Sequence, residues 1–277
     1  MPILFNAILR EAGFSLGDVI LLRHQDQRAT RGRTPYELWR DNTPAFDLYQ
    51  SHQGTDGRSK FSRAGCWASF VATPNGETLF VGIYRANYRG LLDQDTPLPH
   101  CDAVDKAGTC DVYDLSLHDR LNDLIGKLYI DWGQGTRAWV QRADRQNKPI
   151  TELRTAFKEP EFPGFLNFVE QLSTLDRLPA SWVETLRSSG GVYLLTCPST
   201  GEQYVGSATG GCGFWQRWQE YARTGHGGNV ALKSRTPSDY RVSILQVVGT
   251  DATAADVIAI EERWKKKLQG KEMGLNR

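Results

Sequence analysis

Apolar positions in this chain fall mostly in short runs and period-two alternations, broken by Gly, Pro and Asn. That pattern predicts many short strands with a few capped helices among them. MPILFNAILREAG reads as an amphipathic helix, and Asp18 to Leu22 (DVILL) has the apolar density of a buried strand. Thr34-Pro35-Tyr36-Glu37 places a capping Thr, a Pro at the first helical position and a Glu three residues after the cap, so a helix starts there; Thr43-Pro44 repeats the start. Cys66 to Thr73 and Thr78 to Tyr84 flank Asn75-Gly76, a strong hairpin signal. Ser116 to Leu124 suggests a helix, while Lys127 to Trp132 and Arg137 to Ala143 look like strands. Residues 1–155 are therefore expected to form a strand-rich α+β domain whose sheet curls towards a small barrel.

Pro160, Pro163-Gly164 and Pro179 then punctuate helical patterns at Phe165 to Leu172 and Ser181 to Leu186, where Ser181 and Glu184 fit a capping box. Residues 156–188 read as a helical connector. Beyond them, GVYLLTCPSTGEQYVG gives two short strands around Pro198-Ser199-Thr200-Gly201, with Tyr193 and Tyr204 on neighbouring strands and Gly191 and Gly206 beside them. Glycines at such a place let a backbone or a phosphate come close. Phe214 to Arg223 is expected to be helical, Asp239 to Val248 a third antiparallel strand, and Thr253 with Asp256 the start of a last helix. At about 100° per residue, Val257, Ile260, Trp264 and Leu268 make one apolar stripe that contains Glu261 and excludes Glu262. A carboxylate among core-facing residues needs a partner, hydrogen bonds or a metal.

The length of 277 residues favours two domains, and 40% hydrophobic with 23% charged residues is the balance of a soluble globular protein. No apolar run has the length of a membrane span and the N-terminus lacks a basic start and a cleavage site, so a cytoplasmic protein without a membrane partner is expected. The five cysteines form no CxxC pair, which argues against a disulfide scaffold or a zinc ribbon; His100-Cys101 and Cys110 read as ordinary loop residues. Net charge is +1, but residues 189–277 carry 11 Lys and Arg against 8 Asp and Glu, a mild basicity that permits nucleic-acid binding. Arg23, His24, Arg28, Arg31, Arg33 and Arg40 crowd a stretch read as a loop, with Arg28, Arg31 and Arg33 the candidates for phosphate contact.

Taken together, Gly191-Val192-Tyr193, Tyr204-Val205-Gly206, Arg217, Glu261 and Gly274-Leu275-Asn276 resemble the GIY-YIG nuclease domain, in order across residues 189–277. Gly82-Ile83-Tyr84 imitates the first tripeptide, but Tyr88-Arg89-Gly90 follows too closely for a second strand and turn. The resemblance implies a small three-stranded antiparallel sheet flanked by helices and hydrolysis of phosphodiesters with one divalent cation, Mg²⁺ or another such as Mn²⁺. It implies Glu261 as metal ligand, Tyr193 as general base directly or through Tyr204, Arg217 as phosphate stabiliser and Asn276 as a brace. His226 sits between glycines, where it would accept a proton or tune the tyrosine. The N-terminal layout, with Trp67, Trp132 and Trp139 on strands, resembles PUA-like domains, some of which hold a flipped modified base.

The expected activity is a DNA endonuclease acting on double-stranded DNA, its target selected by residues 1–155, with modified DNA in a restriction-type defence as the leading case. One active site cutting two strands implies a homodimer on the duplex or two successive encounters. A structure-selective repair or junction nuclease is the alternative within the enzymes; a non-catalytic DNA-binding or partner-binding module is the alternative outside them.

Overall fold

The computed structural model of the protein describes residues 2–25, 32–62, 64–133, 138–233, 239–249 and 251–276. They divide into two units, Met1–Lys158 and Glu159–Arg277. Both mix helices with mainly antiparallel sheet, so the fold class is α+β. Among the described residues no helix is long and apolar enough to cross a membrane.

Unit 1 runs α1 (Phe5–Glu11), β1 (Val19–His24), α2 (Pro35–Asp41), α3 (Thr43–Ser51), β2 (His52–Gly54), α4 (Arg58–Phe61), β3 (Cys66–Ala72), β4 (Thr78–Leu91), β5 (Thr96–Pro97), β6 (Val104–Asp105), β7 (Cys110–Leu117), β8 (Leu128–Ile130), β9 (Val140–Arg142) and β10 (Ile150–Leu153). The main sheet is ordered β10-β8-β4-β3-β1-β9, with β7 joining β4 to β2. β1 pairs with β3 in parallel; the other pairings are antiparallel. Among the described strands β9 and β10 stand at opposite ends unpaired with each other, so the sheet does not close into the expected barrel. Tyr36, Phe46 and Phe61 from α2 to α4 pack with Trp67, Tyr84 and Tyr113 on one face, while Phe5 and Leu9 of α1 pack with Phe70 and Phe80 on the other.

Local chemistry sets several boundaries. The Thr34–Glu37 capping box forms at α2, whereas α3 is capped by Asn42, whose Oδ1 accepts from Ala45 N, rather than by Thr43. Ser116 to Leu124 is not the expected helix: β7 continues to Leu117 because Tyr113 and Leu115 alternate inward and pair with Tyr88 and Ala86 of β4. Trp67 lies on a strand, but Trp132 and Trp139 lie just outside β8 and β9. Arg23 and His24 end β1 as buried residues rather than opening a loop. Arg33 pairs with Asp41 at 2.9 Å, and Arg40 Nε lies 2.6 Å from the same carboxylate. Arg28 and Arg31 lie outside the described residues.

Unit 2 runs β11 (Val169–Gln171), α5 (Ala180–Arg187), β12 (Gly191–Thr196), β13 (Gln203–Ala208), α6 (Gly213–Thr224), α7 (Val230–Lys233), β14 (Arg241–Val247) and α8 (Ala254–Lys267). Its antiparallel sheet has four strands, β11-β14-β12-β13, one more than the resemblance implied. The addition comes from the segment read as a connector. Val169 to Gln171 pair with Ser243 to Arg241, so Phe165 to Leu172 is not a helix, and Phe168, Leu172, Leu175 and Leu186 join the core of this unit. Pro179 stands at the N-cap of α5 and no side chain caps it, so the Ser181–Glu184 box does not form.

Side chains alternate across this sheet. Tyr193, Leu195 and Tyr204 face α6, where Phe214, Trp218 and Tyr221 recur at helical spacing. Val192 and Val205 face α8 and meet Val257, Ile260, Trp264 and Leu268. The Thr253–Asp256 capping box starts α8. A central sheet covered by one helix on each face is the frame for the site.

Candidate active site

The hairpin register sets the first contacts. Tyr193 lies opposite Gly206, and Tyr204 opposite Leu195, which puts both phenols on the α6 face. A Cβ on Gly206 would stand 2.5 Å from Tyr193 Oη and 2.8 Å from the Tyr204 ring, so glycine is what lets the two rings share that face. Gly191 has φ +149°, and a Cβ there would collide with the Gln246 carbonyl of β14.

Arg217 projects from α6 onto this pair. Its Nε donates to Tyr193 Oη at 3.3 Å and its Nη2 to Tyr221 Oη at 3.2 Å; the Tyr193 hydroxyl in turn donates to Tyr221 at 3.1 Å. Nη1 is divided between Glu220 at 2.9 Å and the Gly227 carbonyl at 3.0 Å. The guanidinium also lies over the Tyr221 ring, 4.9 Å from its centroid. Of its five N–H groups, one on Nη2 remains outside these bonds.

Tyr221 is the member that sequence reasoning missed. The signal was there: it follows Arg217 by four residues, on the same helix face. It also continues the Phe214, Trp218 stripe, which made it read as core.

Electrostatics here are a contest. Tyr193 is fully buried, and that burial pushes its phenol above the ordinary tyrosine range, although its hydrogen bond with Tyr221 and the Arg217 cation pull the other way. Burial raises Tyr221 in the same manner. Arg217 loses hydration too, but the phenols and Glu220 more than compensate and strengthen its hold on its proton. Tyr193 therefore rests as a neutral phenol beside a permanent cation. Tyr204 is the less enclosed of the two motif tyrosines, at 9% exposure against 0%.

His226 lies in the loop after α6. Its Nδ1 accepts from Gly228 N at 2.9 Å, which leaves the ring proton of the neutral imidazole on Nε2 and makes that atom a donor. The loop is held by Thr224 Oγ1, which accepts from Gly227 N at 2.8 Å. Asn276 completes the open edge of β13: Oδ1 accepts from Val205 N at 2.9 Å and Nδ2 donates to Val205 O at 2.7 Å, as a neighbouring strand would.

Glu261 is placed differently. It belongs to α8, on the face of the sheet opposite Tyr193, and its carboxylate pairs with Lys265 Nζ at 2.6 Å. Its side chain is 13% exposed against 47% for Glu262. The structure thus brings Tyr193, Tyr204, Arg217 and Tyr221 together under α6, with His226 in the adjoining loop, and leaves Glu261 with Lys265. A half-sheltered carboxylate that already balances one cation fits a divalent ion that binds few protein oxygens and keeps much of its water. Arg33, in unit 1, is engaged with Asp41.

Among solved structures, the catalytic domain of the homing endonuclease I-TevI is similar to this chain at 24% identity, covering 31% of this chain and 96% of that one, with a TM-score of 0.27. No family model matches the chain, and no curated protein matches it.

Proposed function

We propose that the protein is a metal-dependent endonuclease that hydrolyses DNA phosphodiester bonds with the Tyr193, Tyr204, Arg217 and Tyr221 constellation of unit 2. The observation that carries this reading is the Arg217 guanidinium bound to two buried phenols on one side and to a solvent-facing carboxylate, Glu220, on the other. A scissile phosphate is an anion that takes the place of Glu220 and uses the remaining Nη2 hydrogen, a match for planar bidentate recognition. Tyr193 is the general base as its phenolate, which forms when its own proton passes to solvent on substrate entry and which then accepts a proton from the attacking water directly or through the more exposed Tyr204. A phenolate formed there is stabilised by Arg217 in a site with little water. His226, as an Nε2 donor, steadies a phosphate oxygen or a phenolate, which favours the tuning role over that of base. Gly191, Gly206 and Asn276 hold the hairpin in register.

Glu261 is the residue that would hold Mg²⁺ or Mn²⁺, with Lys265 displaced from it. Such an ion would neutralise charge on the phosphate and the leaving 3′ oxygen, which requires the phosphate to lie at the sheet edge, within reach of both the α6 and the α8 faces. Incubation with plasmid DNA and Mg²⁺ is expected to give nicks or breaks, lost in Tyr193→Phe and in Glu261→Gln. Cleavage that persists in both variants would reject the mechanism.

Unit 1 is proposed to select the target. His24 Nε2, Trp67 Nε1 and Tyr113 Oη are buried in its aromatic interior without a hydrogen-bond partner among the described residues, polar atoms of the kind that a nucleobase edge satisfies. Unequal cleavage of unmodified, methylated and hydroxymethylated duplexes is the expected sign of restriction of modified DNA; equal cleavage of all three would set it aside. One observation favours a second reading, DNA binding without hydrolysis: the Glu261 carboxylate is taken by Lys265. That reading predicts binding with no nicks at any metal concentration.

A further inference from the structure

Cys110, which reads in the sequence as a loop thiol, begins β7 in unit 1 and is buried there. β2 and β7 are antiparallel, with Gly54 opposite Cys110 and His52 opposite Val112, so His52 and Cys110 project from the same face as diagonal neighbours. The β5–β6 hairpin brings a third group, Asp105. Its Oδ2 lies 2.8 Å from His52 Nδ1 and 3.9 Å from Cys110 Sγ. One donor atom from each residue falls within 4.8 Å of the other two. The hairpin is fixed by Asp95, which accepts from Lys106 Nζ at 2.6 Å and Ala107 N at 3.0 Å. The neighbouring Asp111 is committed to Arg58 and Tyr88.

We propose that His52, Asp105 and Cys110 form a zinc site in unit 1. Zinc binds thiolate sulfur at about 2.3 Å and imidazole nitrogen or carboxylate oxygen at about 2.0–2.2 Å, so tetrahedral ligand atoms stand roughly 3.5 Å apart. The His52–Asp105 edge opens from 2.8 Å and the Asp105–Cys110 edge closes from 3.9 Å to meet that spacing. The donor set selects the ion: a thiolate and an imidazole suit zinc and are poor ligands for magnesium or calcium. Zn²⁺ with one thiolate and one carboxylate carries no net charge, which suits a place where the His52 side chain is 8% exposed and Cys110 7%.

On binding, the thiol proton passes to solvent and sulfur bonds the ion. The imidazole keeps one proton, on Nε2, and gives its Nδ1 lone pair. A water enters as fourth ligand on the Asp105 side, the most open of the three at 26% side-chain exposure. The site would clamp the β5–β6 hairpin to the β2–β7 pair, which rests on no part of the nuclease reading.

The test uses the full chain, stripped with a chelator and titrated with Co²⁺ as a spectroscopic probe and with Zn²⁺. Expected are one bound equivalent, a thiolate-to-cobalt charge-transfer band with the ligand-field bands of a tetrahedral ion, and protection of Cys110 from alkylation when each cysteine is mapped by mass spectrometry. Cys110→Ser, nearly isosteric, and His52→Ala are expected to lose the bound equivalent, and Cys110→Ser the band as well. Absence of the band in the wild type, protection of a different cysteine, or an equivalent retained by Cys110→Ser would show that the three residues are only a hydrogen-bonded cluster.

Discussion

In unit 1 the Gln50 amide sits at the centre of a buried polar network, bound to His24 and Tyr84, accepting from Ser69 Oγ and donating to Asp47; in unit 2 a guanidinium spans two buried phenols. Both lie under aromatic rings, and burial pushes each titratable group towards its neutral form. His24 falls to about 4, chiefly through burial, and Tyr193 rises. The difference is the cation. The network around Gln50 is built from groups that can stay neutral, with Asp47 raised by burial, whereas Arg217 opposes burial at the place where the proposed reaction needs a negative charge. One interior is arranged to avoid charge and the other to receive it.

The sharpest way to break that comparison is to keep the charge and remove the geometry. Arg217→Lys retains a cation but cannot span Tyr193, Tyr221 and the Gly227 carbonyl at once. Cleavage is expected to drop by about 10²–10³ while DNA binding in a mobility-shift assay changes little. Equal activity in the lysine variant would mean that charge alone suffices.

Next in size is an acid effect confined to unit 1. His24 is held below its ordinary value, so its contribution to stability is complete above about pH 6.5 and is lost as pH falls towards about 4. A shift of that size is worth about 3 kcal/mol. Urea unfolding of the wild type is expected to show this loss between those pH values, and His24→Asn to show a flatter profile. Identical profiles would mean that His24 is not the group that titrates.

These contrasts were unevenly legible in the sequence. Thr34 with Glu37 and Thr253 with Asp256 were readable because a capping box is complete within four residues. The inward turn of Glu261 followed from helical period alone, but its pairing with Lys265 was only one of several outcomes the period allowed. The end of β7, Ser116 and Leu117, and the whole of β11 were misread as helix because their partners lie far away, Arg85 and Tyr84 for the first and Ser243 to Arg241 for the second, and strand character there comes from pairing. The His52, Asp105 and Cys110 cluster was invisible for the same reason. Tyr221 was hidden in a stripe that explained it as core.

A smaller effect separates position from chemistry. Gly206→Ala retains Arg217 and both phenols but puts a methyl where the Tyr193 hydroxyl and the Tyr204 ring now approach. Overpacking of this kind costs about 1–3 kcal/mol, read by urea unfolding. Cleavage is expected to fall further than stability, because Tyr193 must move off Arg217.

The smallest effect concerns how the hairpin edge is held. Val205, between Tyr204 and Gly206, gives its N–H and carbonyl to the Asn276 side-chain amide rather than to another strand. Asn276→Ala removes both bonds and is expected to cost about 1–2 kcal/mol. Asn276→Asp keeps an acceptor for Val205 N but turns a carboxylate oxygen towards the Val205 carbonyl. If the amide acts as a strand mimic, the aspartate should therefore be at least as damaging as the alanine in urea unfolding. An aspartate close to wild type would show that only the bond to Val205 N matters. The same pair of variants divides the edge from the site: a loss of cleavage that tracks stability in both places Asn276 in the frame, whereas a greater loss of cleavage in either variant would tie the register of β13 directly to the position of Tyr204.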